Sequence, residues 1–304
     1  MNEAQQVDSG RAQTAHDEAR RTLVMGILNV TEDSFSDGGR NPDTETALRH
    51  AREMIAAGAD IIDIGGESTR PGATRVDPAV EEGRVVPVIQ QLQHEECQTS
   101  IDTMRATTAA AAIEAGVDII NDVSGGLADP DMLRVCAEAD VPICLMHWQA
   151  ESFAGAEGYT DHGGDIVGQV RDHLSRLVDR ALEAGVQERR IILDPGIGFA
   201  KSPDENWALL GATRQLVDMG FPILIGASRK RFLTALRPAP DGNPGTPDSA
   251  DDATAAVSAL AAAAGAWAVR VHNVAPTCAA VDVAHYTSLG SGPYVAEGWR
   301  ARRG

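Results

Sequence analysis

The chain has 304 residues, a formal net charge of −18 and a composition of 43% hydrophobic and 4% aromatic residues. The excess of acidic residues argues against a surface that binds nucleic acid or an anionic membrane through clustered Lys and Arg. The length suits one barrel of roughly 250 residues with short tails.

Eight short apolar runs predict eight strands. In chain order they cover residues 23–28, 60–64, 98–101, 118–121, 141–146, 190–194, 222–225 and 267–271. Stretches with helical spacing lie between them, and those at 47–57, 107–115 and 170–184 each end at a glycine that suits a left-handed helix cap. Eight strands that alternate with helices favour an α/β fold closed as a (β/α)₈ TIM barrel over an open doubly wound sheet.

The remaining segments predict a single domain with two tails. We expect a flexible N-terminal tail at 1–21, the barrel at 22–290 and a C-terminal tail at 291–304. The first tail lacks the apolar segment of a signal peptide or membrane anchor, and the four cysteines lack disulfide or zinc spacing, so we expect a cytoplasmic protein. Residues 29–41 and 65–78 are predicted to be mobile loops over a pocket, and 238–252 is left without predicted structure.

Polar side chains stand where predicted strands end. Asp102, Asn121 and Asp194 each come at the end of a short apolar run. Because chemistry gathers at the carboxyl ends of strands in parallel α/β folds, these residues predict a pocket at one end of the barrel. Asp63, Glu67 and Asp122 have equivalent positions near strand ends, and the alternative for these three is that they anchor the loops.

Asp194 precedes a tight turn at Pro195-Gly196, which lets its carboxylate face the barrel mouth. A carboxylate accepts two hydrogen bonds side by side. It therefore matches the adjacent ring N–H and amino donors of a guanine-like or pterin-like heterocycle. The alternative for Asp194 is a helix cap.

Basic residues follow the last two strands. Lys230, one of only two lysines, is predicted in the first turn of the helix after strand 7, where a helix favours anions. The alternative is a solvated basic patch. Arg270 and His272 are two residues apart at the end of strand 8, so both could grip a phosphate; a structural role is the alternative for the histidine.

Two further polar residues end strands. Asn29 offers a neutral oxygen suited to Mg²⁺, which keeps several waters and joins substrate phosphates. No carboxylate cluster suggests a tight metal site. His147, beside Trp148, is interpreted as a packing residue or as support for the site.

Seven segments together resemble dihydropteroate synthases. They are Gly26–Thr31 (GILNVT), Asp33–Gly39 (DSFSDGG), Gly65–Gly72 (GGESTRPG), Asn121–Gly126 (NDVSGG), Asp194–Phe199 (DPGIGF), Ser228–Lys230 (SRK) and Arg270–His272 (RVH). The match runs in order from about residue 23 to residue 286. The combination is highly specific for this family, although any one segment alone would be modest evidence.

The resemblance implies a TIM-barrel transferase of folate biosynthesis. Such an enzyme joins 6-hydroxymethyl-7,8-dihydropterin pyrophosphate to 4-aminobenzoate and releases pyrophosphate and 7,8-dihydropteroate. The resemblance also implies Mg²⁺, a homodimer and a sulfonamide target.

The resemblance also implies roles for individual residues. The pterin would be bound by Asp102, Asn121, Asp194 and Lys230, and the pyrophosphate with its metal by Arg270, His272 and Asn29. The aminobenzoate site would be shaped by Phe35, Thr69, Arg70, Pro71, Phe199 and Ser228. Asp37 would face positive charge that develops on the pterin, and the catalytic set would be Asp102, Lys230, Asp37 and Arg270.

The sequence departs from the family pattern at three positions. Glu32 stands where proline is common, Arg231 where serine is common and Asn273 where aspartate is common. These departures leave open a pterin-binding paralogue with weak or no turnover. A separate alternative is a pterin-dependent methyltransferase that uses methyl-folate and a corrinoid partner. The Ser- and Gly-rich loops and the Ser-Arg-Lys segment argue against the methyltransferase.

Overall fold

The computed structural model describes residues 21–31, 42–67, 76–148, 164–238, 242–243 and 245–293. The predicted N-terminal tail, except Arg21, lies outside these ranges, as does most of the C-terminal tail. Most of the two predicted loops over the pocket lies outside them as well.

Eight parallel strands form the centre of the fold. They are β1 (Leu23–Asn29), β2 (Ile61–Gly65), β3 (Gln98–Asp102), β4 (Ile119–Asp122), β5 (Ile143–Met146), β6 (Ile191–Asp194), β7 (Leu224–Ile225) and β8 (Ala268–Val271). Their hydrogen-bonded order is β6-β5-β4-β3-β2-β1-β8-β7. A parallel bridge between Leu193 and Ile223 joins β6 to the residues before β7, so the sheet is nearly closed. The predicted barrel is confirmed, with strand boundaries that differ by at most two residues.

Helices alternate with the strands. They are α1 (Pro42–Ala56), α2 (Pro78–Leu92), α3 (Ala106–Glu114), α4 (Met132–Ala139), α5 (Ile166–Glu183), α6 (Pro203–Gly211), α7 (Thr213–Val217), α8 (Arg231–Thr234), α9 (Asp251–Ala263) and α10 (Val274–Leu289). The glycines after three predicted helices, Gly58, Gly116 and Gly185, have φ values of 101°, 95° and 93°, so the predicted left-handed ends are confirmed. The 238–252 segment contains a 3₁₀ helix at Pro247–Ala250 and the start of α9. Within the described ranges, no helix is long and apolar enough to span a membrane.

The barrel interior is divided into an apolar half and a polar half. The apolar plug consists of seven buried residues that point inward from seven strands: Met25, Ile61, Ile119, Cys144, Ile192, Leu224 and Ala268. Burying one side chain of the Ile or Met type stabilises the fold by about 1.5–3 kcal/mol, so the plug closes the amino-terminal end of the barrel firmly.

The residues two positions further along the strands lie above the plug, because side chains two apart on a strand share a face. Asp63 follows Ile61 in this way, Asn121 follows Ile119, Asp194 follows Ile192 and Arg270 follows Ala268. The change from apolar to polar residues at one level of the barrel therefore creates a polar floor at the carboxyl ends of the strands.

Candidate active site

The polar floor is a compact group of charged and amide side chains. We call it the polar layer and define it as Asp63, Asp102, Asn121, Asp194 and Arg270. The three aspartates and the asparagine are buried. The register places Asp102 directly opposite Asn121 on the neighbouring strand. The structure thus brings the predicted residues of β3, β4, β6 and β8 together.

Arg270 bonds two other members of this layer. Its Nε donates to Asp63 Oδ2 at 2.6 Å, and its Nη2 donates to Asp102 Oδ2 at 2.7 Å. Burial alone would lower the pKa of Arg270, but the attraction of Asp63 and Asp102 raises it overall. Nη1 has no hydrogen-bond partner among the described residues, so one edge of the guanidinium is left for a ligand.

Asp102 holds a buried carboxylate with one oxygen to spare. Its Oδ1 is buried and has no hydrogen-bond partner among the described residues, and the same is true of Asp63 Oδ1. Burial raises the pKa of Asp102 to about 7, and the charge of Asp63 adds to the rise, whereas Arg270 opposes it. Leaving such oxygens without a donor costs free energy that a ligand with N–H groups would recover.

Asp194 uses only one of its oxygens within the protein. Oδ1 accepts the Gly196 backbone N–H at 2.7 Å, and Oδ2 accepts no hydrogen bond from the described residues. A Cβ at Gly196 would lie 2.1 Å from the His147 carbonyl oxygen, so the turn requires glycine. Ser202 caps α6, so the alternative of Asp194 as a helix cap is excluded, and its carboxylate instead fixes the turn. Burial raises the pKa of Asp194, and Lys230 opposes the rise.

Lys230 lies elsewhere than predicted. It precedes the four-residue α8 as its N-cap and is not in a first helical turn, because Arg229 adopts a left-handed φ of 58° and turns the chain. Its Nζ lies 4.1 Å from the centroid of the Phe199 ring. Burial lowers the pKa of Lys230 to about 8, with a further contribution from Arg270.

The basic patch around Lys230 does not form. Arg229 Nε donates to Asp251 Oδ1 at 2.7 Å, and Arg231 is exposed on α8. The three cations of the Ser-Arg-Lys-Arg segment therefore point to different surroundings, and Lys230 faces the pocket without a cationic neighbour from its own segment.

Ser228 and His272 are joined across the last two strands. Ser228 Oγ lies 3.0 Å from His272 Nδ1 and accepts the His272 backbone N–H at 3.1 Å. Next to them, Asn273 donates to Asp251 Oδ2 at 3.0 Å. A neutral amide suits that place because an aspartate at 273 would face the Asp251 carboxylate. The contact with Asp251 therefore explains why this chain has asparagine at position 273, where aspartate is common.

The sequence did not reveal Lys201. Its Nζ is buried, donates to the carbonyl oxygens of Gly196 at 2.8 Å and Phe199 at 3.2 Å, and lies 3.0 Å from His147 Nδ1. Burial lowers the pKa of Lys201 to about 7. Lys201 therefore fixes the turn that carries Asp194 and Phe199, and His147 supports the site as predicted. The scarcity of lysine was the available signal.

The three predicted loop anchors behave differently. Glu67 Oε2 accepts the Val76 N–H at 2.9 Å and Arg105 Nη2 at 2.8 Å, and Asp122 accepts the Ser124 and Gly126 N–H groups at 2.8 and 2.9 Å. Both therefore anchor loops as interpreted. Asp63 does not anchor a loop, because its strand position turns the side chain into the polar layer.

The remaining predicted residues lie at the rim or outside the description. Asn29 is exposed at the end of β1, and its Oδ1 would lie 3.9 Å from a Cβ at Gly65. Within the described ranges, no group of three or more His, Cys, Asp or Glu side chains could hold a metal ion. The positions outside the described residues are Glu32, Phe35, Asp37, Thr69, Arg70 and Pro71.

Comparisons with known proteins agree with this geometry. The model of the pterin binding enzyme family matches residues 25–272. The dihydropteroate synthase of Mycobacterium leprae is 50% identical over 263 residues, which cover 86% of this chain and 91% of the relative.

Two solved structures of the Xanthomonas albilineans dihydropteroate synthase are similar as well. The structure with 4-aminobenzoic acid has a TM-score of 0.80 and 39% identity, over 90% of this chain and 95% of that chain. The structure with 7,8-dihydropteroate has a TM-score of 0.77 and 36% identity, over 90% of this chain and 96% of that chain. The chain therefore belongs to the dihydropteroate synthases, within the pterin binding enzyme family.

Proposed function

We propose that this chain condenses 6-hydroxymethyl-7,8-dihydropterin pyrophosphate with 4-aminobenzoate to give 7,8-dihydropteroate and pyrophosphate. The observation that carries the proposal is the polar layer, where buried carboxylate oxygens of Asp63 and Asp102 have no donor within the described ranges and lie directly above the apolar plug. Such a floor suits a flat heterocycle rich in N–H groups. Membership of the dihydropteroate synthases gives the same substrate class.

The reaction breaks the C–O bond between the pterin methylene and the diphosphate and forms a C–N bond to the arylamine, which then loses a proton. The free Oδ2 of Asp194 and the Oδ1 of Asp102 would accept pterin N–H groups. Arg270 Nη1 and the His272 ring would stabilise the departing diphosphate, while Phe199 and Ser228 would line the aminobenzoate side. The protein thereby orients two substrates, screens the cationic pterin from water and stabilises the leaving anion.

We also propose Mg²⁺ as the metal of this reaction. Mg²⁺ usually keeps several waters and binds substrate phosphates together with one or two protein oxygens. Asn29, a single neutral oxygen donor exposed at the rim, fits that mode. When bound, the ion would neutralise charge on the leaving diphosphate.

A homodimer is part of the proposal. Helices α9 and α10 pack against each other, and they expose the large apolar side chains Leu260, Val283 and Leu289. Exposed apolar side chains gathered on neighbouring helices mark a surface for protein contact. Sedimentation should show twice the chain mass of 32.0 kDa, and Val283→Asp should shift it to the single-chain mass.

Turnover by the purified chain tests the proposed function. With both substrates and Mg²⁺ we expect release of pyrophosphate together with an equal amount of dihydropteroate, and none when either substrate is omitted. A sulfonamide should compete with the arylamine.

Three outcomes would contradict the synthase assignment. No release at any salt concentration rejects it. Calorimetric binding of the pterin substrate without turnover would identify a binding paralogue, and methyl transfer from methyl-folate would identify the methyltransferase.

A further inference from the structure

We propose that Asp63 is a positioning residue that holds Asn121 and Arg270 in the one arrangement that the pterin pyrophosphate can bind. The inference rests on the proposed function and deepens it, because it names the group that couples the pterin side of the pocket to its phosphate side.

A single oxygen of Asp63 makes both connections. Oδ2 accepts Arg270 Nε at 2.6 Å and Asn121 Nδ2 at 3.1 Å. These partners lie on β8 and β4, so one carboxylate ties together side chains from distant strands of the barrel. Asp63 itself is 0% exposed. The contact is therefore shielded from water and stronger than its surface counterpart would be.

The two bonds to Asp63 hold the Arg270 and Asn121 side chains in defined orientations. Arg270 is held by Asp63 at Nε and by Asp102 at Nη2, which directs the remaining Nη1 away from both carboxylates. Neutralising Asp63 would weaken its bond to Arg270 because a neutral oxygen accepts less strongly, and the Asp102 contact alone would leave the guanidinium freer to rotate. The Asn121 amide donates to Asp63, so its oxygen is directed elsewhere and stays available to a ligand.

Asp63 also acts on the charge of its neighbour. Its negative charge raises the pKa of Asp102, an effect that Arg270 opposes. The charged groups that face Asp102 are Arg270 on β8, Asp63 on β2, Asp122 on β4, Glu81 on α2 and Lys230 before α8. Removing the Asp63 charge should therefore move the ionisation of Asp102 to lower pH.

The same strand supplies a matched control. Asp60 directly precedes β2, and its Oδ2 also accepts two donors, Arg21 Nη1 at 2.7 Å and the Val24 backbone N–H at 2.7 Å. Asp60 lies at the closed end of the barrel, away from the polar layer. Asp60→Asn and Asp63→Asn thus remove the same charge from similar contacts at opposite ends of one strand.

Steady-state kinetics of the full chain with both substrates and Mg²⁺ separate positioning from stability. For Asp63→Asn we expect the KM for pterin pyrophosphate to rise at least tenfold, while the KM for 4-aminobenzoate stays within twofold. The acidic limb of the pH profile should move to lower pH. For Asp60→Asn we expect both KM values and the pH profile to match wild type, with only a lower thermal unfolding temperature.

The outcomes decide the inference in each case. Unchanged KM values and pH profile in a folded Asp63→Asn protein overturn it, as does an equal rise in both KM values. Asp63→Ser, which leaves room for a water, serves as a second variant, and failure of both to fold overturns the inference because Asp63 would then act on folding. If wild type releases no pyrophosphate, the proposed function fails, and calorimetry with the pterin pyrophosphate alone decides the inference by a loss of affinity in Asp63→Asn.

Discussion

The two ends of the barrel each hold an arginine between two aspartates, and the two clusters differ in their contact with water. At the closed end, Arg21 bonds Asp60 at 2.7 Å and Asp282 at 2.5 Å, and these three side chains are 26%, 32% and 46% exposed. At the open end, Arg270 bonds Asp63 at 2.6 Å and Asp102 at 2.7 Å, with exposures of 21%, 0% and 5%.

The difference shows that similar ion pairs serve different purposes. The closed-end pairs are partly hydrated and contribute only about 0–1 kcal/mol each to stability. The open-end pairs have lost their water, and two of their carboxylate oxygens have no donor among the described residues. Burying charge in this way costs more than the pairing returns unless further hydrogen bonds form. The open end is thus arranged for a ligand and the closed end for stability.

Removing the open-end cation should have the largest effect. Arg270→Met would leave Asp63 and Asp102 buried without their cation, and we expect the free energy of unfolding to fall by about 3–5 kcal/mol at neutral pH. Chemical denaturation measures this loss. In the fraction that remains folded, the KM for pterin pyrophosphate should rise more than that for aminobenzoate. Equal rises in the two KM values would contradict the assignment of Arg270 to the phosphate.

Changing Asp194, whose Oδ2 accepts no hydrogen bond from the described residues, should have a smaller effect, and that effect is on binding. Asp194→Asn places an amide donor against one pterin donor, so we expect pterin affinity to fall by about 1–3 kcal/mol, as measured by calorimetry. Asp118→Asn is the closed-end control, since Asp118 Oδ2 accepts the Thr99 N–H at 2.7 Å below the plug. Unchanged pterin affinity in Asp194→Asn would contradict the assignment.

The pH dependence of the open end should be moderate and two-sided. Asp102, with a pKa of about 7, accepts a hydrogen bond from the pterin better once ionised, and Lys230, with a pKa of about 8, keeps its charge below that value. We expect calorimetric pterin affinity to peak between these values and Asp102→Asn to abolish the acidic limb.

Stability should show the opposite sign in the acidic range. The folded pKa of Asp102 lies above the unfolded value of about 3.9, so the folded state retains this proton as pH rises. Its contribution to stability is present below about pH 4 and is lost as the pH rises to about 7. Thermal unfolding of wild type against Asp102→Asn across this range measures it, and a flat difference would contradict the raised pKa.

The closed-end arginine should matter least. Arg21→Met removes two partly exposed ion pairs, so we expect a loss of about 2 kcal/mol or less in the free energy of unfolding and unchanged kinetics. A large change in either KM would end the contrast between the two ends of the barrel.

The sequence predicted the fold and much of the pocket because both follow from local patterns. Apolar runs mark the strands, and in a parallel barrel their carboxyl ends meet at one rim. That argument alone brings Asp102, Asn121 and Asp194 together. The roles assigned to them remain predictions that the variants above test.

Contacts across the barrel were beyond such patterns. Arg270 and Asp63 are 207 residues apart, and their bond depends on which side chain spans the interior. The position of Lys230 depends on the left-handed backbone of Arg229, which cannot be predicted from an arginine at that position. The role of Lys201 was equally hard to predict, because its partners are backbone carbonyl oxygens of a turn, and the pattern of side chains does not specify the shape of that turn.

The seven-residue plug also has a kinetic consequence. Because the plug closes the amino-terminal end of the barrel, substrates and products must enter and leave at the carboxyl ends of the strands. The ligand that binds deepest must therefore bind first. If the pterin lies on the aspartates, 4-aminobenzoate binds after it, and excess 4-aminobenzoate that enters the empty pocket should inhibit competitively with the pterin substrate.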